Sequence, residues 1–109
     1  MSSAKVTTDH DVIRRWVEER GGVPACVKGT GGDGDVGMLR IDFPGFSGEQ
    51  SLQHIDWNTW FQAFEDNELA FLYQETTSEG RQSRFNKLVA RETVRRRERG
   101  EHGASAHDR

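Results

Sequence analysis

Two stretches of the chain carry apolar residues at helical spacing. Over residues 9–20 the sequence reads DHDVIRRWVEER, and Val12, Ile13, Trp16 and Val17 fall on one face of a helix. Thr8 precedes this stretch as the expected N-cap, Asp9 and Asp11 occupy the first turn where the helix dipole favours negative charge, and Gly21 and Gly22 provide the stop. The second stretch follows Asp56, a good N-cap. Here Trp57, Trp60, Phe61 and Phe64 stand at i, i+3, i+4 and i+7, the stripe of a core-facing helix, which Asn67 can end.

Four other stretches read as strands. Residues 23–28 are partly β-branched and bounded by glycines, with Pro24 near the start where a missing N–H does least harm. Residues 38–43 alternate, with Leu39, Ile41 and Phe43 on one face and Met38, Arg40 and Asp42 on the other. Residues 69–74, LAFLYQ, are strongly strand-like, and residues 83–90 contain Phe85, Leu88 and Val89. The glycine-rich segment after Lys28 and the turn over residues 76–80 make each pair a hairpin.

The order is therefore α-β-β-α-β-β, which predicts an α+β domain with one antiparallel sheet and both helices packed on one of its faces. Its expected bounds are residues 7–91, with 1–6 disordered and 92–109 a flexible tail that starts as a helical continuation. The expected core is Val12, Ile13, Trp16, Leu39, Ile41, Trp60, Phe61, Phe64, Phe71 and Leu72.

Composition sharpens this picture. At 109 residues the chain fits one modest core, and only 33% of its residues are hydrophobic against 30% charged. Burial must then be concentrated in the three Trp, six Phe and one Tyr. The single cysteine, Cys26, has no partner for an intramolecular disulfide, so a reducing cytoplasm is the expected location. The N-terminus lacks the apolar run of a signal peptide, and no stretch approaches the roughly 20 apolar residues of a membrane span.

Charge is segregated along the chain. Residues 1–80 hold 6 Lys+Arg against 14 Asp+Glu, a net of −8, whereas residues 81–109 hold 9 against 4, a net of +5. An acidic body carries a basic end.

Most candidate chemistry fails on detail. GTGGDGDVG resembles a phosphate cradle, but no Lys-Ser or Lys-Thr follows, Asp33 and Asp35 would repel phosphate, and the loop leads into a strand where a phosphate loop needs a helix. A calcium loop starting at Asp33 would need Glu at its twelfth position, which is Pro44. Cys26, His54 and Asp56 supply the residue types of a nucleophile, base and orienting acid, but a small thiol between Ala25 and Val27 in a strand is the usual buried kind. His10, His102 and His107 form no metal-ligand spacing, and paired acids such as Glu18 with Glu19 or Glu65 with Asp66 read as solvated helix faces. No catalytic, metal or cofactor-binding residue is assigned. Among the aromatics, Trp60 belongs in the core, Trp57 sits in the first turn of its helix, and Phe46, between glycines and a proline, is the one expected to be exposed as a contact residue.

The basic end is the feature that departs from a bland domain. Arg84, Lys87, Arg91, Arg95, Arg96, Arg97 and Arg99, with Arg81 before them, are the candidate polyanion-binding residues, since such clusters neutralise phosphates with little sequence preference. Solubilisation, or pairing with the chain's own acidic body, is the competing role.

The body over residues 7–91, above all VPACVKGTGG…GMLRIDFPGFSGE, DWNTWFQAFEDNELAFLYQE and SRFNKLVAR, resembles a family of short, mostly uncharacterised bacterial proteins, some of which carry the label 1,4-alpha-glucan branching enzyme. The chemistry of that label needs a barrel of about 250 residues with acids at its strand ends, more than this chain can build. The resemblance therefore implies neither branching activity nor a catalytic residue. The expectation is a non-catalytic accessory or regulatory protein that contacts nucleic acid or another polyanion through the basic segment, or alternatively a protein-interaction module acting through its acidic body.

Overall fold

The computed structural model describes residues 4–31, 36–45 and 51–95. In chain order its elements are β1 (Ala4–Thr7), α1 (His10–Glu19), β2 (Val23–Val27), β3 (Leu39–Asp42), β4 (Leu52–His54), α2 (Trp57–Asp66), β5 (Leu69–Gln74) and β6 (Asn86–Ala90), and the backbone turns helical again over residues 91–95. The class is α+β.

Both helices lie where their stripes place them. The cap of α1 is Asp9 and not Thr8: its carboxylate accepts the N–H groups of Asp11 at 2.9 Å and Val12 at 3.4 Å, while Thr7 Oγ1 accepts the N–H of Asp9 itself. For α2, Asp56 accepts from the Thr59 N–H at 2.7 Å and Asn67 closes the end by donating its side-chain amide to the Ala63 carbonyl.

The single sheet is corrected to two. Three-stranded antiparallel sheets run in the orders β1-β5-β6 and β3-β2-β4. The hairpins β2–β3 and β5–β6 form as expected, but each gains a third strand that the sequence pattern did not announce. β1 lies partly in the segment expected to be disordered, and β4 lies in what reads as a polar loop. AKVT and LQH are too short to show a period, and a ladder to a hairpin's first strand holds each in place.

The pairing has an internal order. The elements form two β-α-β-β halves, starting at residues 4, 10, 23 and 39 and again at 52, 57, 69 and 86. In each half the first strand leaves its own hairpin and joins the other's: β1 pairs β5, and β4 pairs β2. The helices repeat the exchange. Trp16 of α1 donates its indole N–H to the Gln74 carbonyl of β5 at 2.8 Å, and Trp60 of α2 donates to the Arg40 carbonyl of β3 at 3.1 Å. Two halves that cross in this way share one core.

That core is aromatic. Trp60, Phe64, Phe71, Ile13 and Val17 are fully buried, Trp60 stacks on Phe64, and Trp16 meets Phe71 edge to face. Such pairs add about 0.5–1.5 kcal/mol beyond area burial. Three expected core residues are only half-buried. Val12 and Phe61 pack on the margin of the cluster, and Leu72, which alternation sets opposite Phe71 and Tyr73, faces away from it.

Candidate functional site

The structure divides the late basic residues into two kinds. Arg91, just past β6, is committed to the fold: its guanidinium donates twice to the Leu69 carbonyl, at 3.0 and 2.8 Å, pairs with Glu65 at 3.3 Å, and lies over the Phe64 ring. Its place among the expected polyanion contacts is therefore taken by an internal role. Arg81, Arg84, Lys87 and Arg95 are exposed, and none has a carboxylate partner among the described residues. Lys87 stands on β6, an edge strand, and Arg84 just before it lays its guanidinium over the Phe43 ring at 5.7 Å. Arg96, Arg97 and Arg99 lie outside the described residues, as does Phe46.

Glu65 is the hub of the anchor. His10 Nε2, from the first turn of α1, meets Glu65 Oε2 at 2.7 Å, and the imidazole stacks on Phe61 at 4.1 Å. The hydrogen bonds from His10 and then Arg91 hold the Glu65 carboxyl below the ordinary glutamate range. One carboxylate thus ties the start of α1, the end of α2 and the residue that follows β6.

Register dissolves the candidate nucleophile. Cys26 pairs across the sheet with Gln53 and Ala25 pairs with His54, so Cys26 and His54 stand on opposite faces. His54 bonds instead to Asp42 at 2.7 Å, over the small side of Ala25, and Asp56 is spent on capping α2. The cap bonds from the Thr59 side chain and backbone hold Asp56 below the usual aspartate value. Cys26 is buried, as expected.

The glycine-rich segment connects β2 to β3, so no helix N-terminus follows it. Thr30 closes its described part, donating to the Val27 carbonyl and accepting from the Met38 N–H. Two open clefts lie nearby. One of about 470 Å³ is walled by the polar face of α2, including Asn58, Gln62 and Asp66. The other, about 350 Å³, has Cys26, Lys28 and Gln53 as its polar lining, a set without imidazole or carboxylate. No group of three His, Cys, Asp or Glu suited to a metal occurs among the described residues, and none of the described helices is long and apolar enough to cross a membrane. Trp60 is buried and Trp57, half-buried, stacks on Phe61, which leaves no open tryptophan platform there.

Sequence reasoning missed Arg20. It ends α1 and is 5% exposed, with its guanidinium donating to the carbonyls of Ser83, Trp16 and Glu75 and lying 4.3 Å from the Trp16 ring centre. An arginine next to two glycines reads as a solvated helix end. Only its neighbours in space reveal the clamp. Comparison with protein-family models, curated proteins and solved structures yields no match.

Proposed function

We propose that the protein is a small non-catalytic accessory or regulatory protein whose arginine-rich C-terminal segment contacts nucleic acid or a similar polyanion. The observation that carries this reading is how the late cations are used. The body has a surplus of acids, yet among the described residues only Arg91 of the late basic group pairs with one of them. In the single chain Arg81, Arg84, Lys87 and Arg95 remain available to a ligand. That disfavours internal neutralisation as the segment's role, while the Arg91 anchor fixes where the segment leaves the domain.

The acidic body restricts contact to this end, so a duplex would be touched locally and not wrapped. If about five side chains engage phosphates, log affinity falls with log salt at a slope near −4 to −5. Replacing Arg95, Arg96, Arg97 and Arg99 by Gln in the full chain should flatten that slope to about −1. Fluorescence anisotropy with short DNA and RNA at several salt concentrations measures this. No binding to either at about 50 mM salt would remove the reading. The protein-interaction reading then stands, supported by an apolar sheet face.

A further inference from the structure

The sheet β1-β5-β6 has one face in the core and one turned outward, and the cross-strand pairs assign its residues. Thr7, Phe71 and Leu88 form a row on the core side, whereas Val6, Leu72 and Lys87 form the next row on the outer side, with Ala70 and Val89 beyond it. The Gln74 N–H donates to the Phe85 carbonyl, so the ladder continues past the end of β6 and alternation sets Phe85 on the outer side. Val6 is 42% exposed and Phe85 46%, Leu72 and Val89 are half-buried, and Ala70 on the central strand is covered by its neighbours at 1%, so the open part of the face runs from Val6 through Leu72 to Phe85. Lys87 is the one charge among these residues. A contiguous apolar face of this kind marks a docking surface.

The chain's remaining segments are poor covers for it. Residues 96–109 read RRERGEHGASAHDR, with nothing apolar larger than alanine; residues 32–35 have no apolar side chain, residues 46–50 have only Phe46, and residues 1–3 have only Met1, too little to cover a three-stranded face. Nucleic acid fits no better, because one cation, Lys87, and one ring, Phe85, among aliphatic side chains neither track a phosphate backbone nor stack successive bases.

We propose that this face docks a second copy of the chain, sheet against sheet, about a two-fold axis parallel to the strands. Charge selects that axis. It lays β1 of each copy over β6 of the other, so Lys87 meets the Val6 side of the opposite sheet, whereas an axis across the strands would bring the two Lys87 side chains together. At one end of the sheet the chain passes from Thr7 to the exposed Asp9 and Asp11, and from Ala90 to the exposed Arg95. The parallel axis therefore brings the acids of each copy toward Arg95 of the other. The segregation of charge along the sequence becomes complementarity across the interface. Arg84, over Phe43 on the core side of the same edge, stays clear of it.

Sedimentation equilibrium of the full chain from about 1 μM to about 1 mM tests the proposal. The mass should rise from 12.4 kDa toward twice that value. Raising the salt to about 0.5 M should leave most of the association in place, because apolar burial is not screened, in contrast to polyanion binding. Phe85→Glu should weaken association at least about 100-fold by removing an aromatic contact and placing a charge in an apolar interface, and Val6→Lys should act likewise from the other edge by setting a second cation against the partner's Lys87. Both positions are exposed in the single chain, so the near-ultraviolet circular dichroism of each variant should match the wild type. A mass of 12.4 kDa throughout would overturn the proposal and leave the face to a different protein. A dimer indifferent to both substitutions would overturn it by placing the interface elsewhere.

Discussion

Replacing Arg20 by alanine should be among the most damaging single changes in the described residues. The guanidinium is 2% exposed at its side chain and satisfies three carbonyls, those of Trp16, Glu75 and Ser83, so it joins the end of α1 to the connection between β5 and β6. Each bond from a charged donor is worth about 1.5–3 kcal/mol, and the contact with Trp16 adds about 0.5–2. These terms are not additive, because water will enter the vacated space and solvate part of what is left. Each buried carbonyl left without a donor costs about 1–3 kcal/mol, and with part of the site solvated the three together give an expected loss of about 3–5 kcal/mol. Against a typical domain stability of about 5–15 kcal/mol this leaves a chain close to unfolding. Urea titration followed by tryptophan fluorescence gives the difference directly, and the melting temperature should fall by roughly 12–40 °C at 4–8 °C per kcal/mol. Arg20→Lys keeps the charge but not the fork, and should recover less than half of the loss. Arg14→Ala is the control: its exposed pair with Glu18 is worth only about 0.3–0.5 kcal/mol. If Arg20→Ala costs under about 1 kcal/mol, the clamp is not holding the connection and the reasoning fails.

Four other outcomes are expected. The hydrogen bonds that lower the Glu65 carboxyl from its ordinary range contribute stability above that range, and this contribution is lost as pH falls through the depressed value; Glu65→Gln should therefore flatten the acid limb of a stability-against-pH curve, and an unchanged limb would contradict the His10–Glu65–Arg91 junction. Glu68 follows α2 with a positive φ of 51°, so Glu68→Gly should raise stability by about 0.5–1 kcal/mol in denaturant titration, whereas Gly22→Ala should lower it because a Cβ there meets Ile41 and Phe43 at 2.9 Å. Pure protein incubated with amylose should create no new branch points, which linkage analysis of the product checks; robust branching would defeat the argument from chain size.

Local pattern is enough to place both helices and the two hairpins. The stripes of α1 and α2, the cap at Asp56 and the bounds of β5 are set by contacts within a few residues, so periodicity and side-chain type suffice to place them. Burial of Trp60, Phe64 and Phe71 follows for the same reason. Tertiary structure alone decided the partition into two sheets, because AKVT and LQH have no pattern of their own and become strands only where each meets the open side of a distant hairpin. It also decided the fates of the cations. Arg20 and Arg91 resemble their exposed neighbours in sequence, but chain crossing brings backbone carbonyls, Glu65 and Glu75 within reach of these two. Hydrogen bonding to a buried arginine depends on which acceptors converge in space, and that convergence is a property of the fold and not of any short stretch of chain.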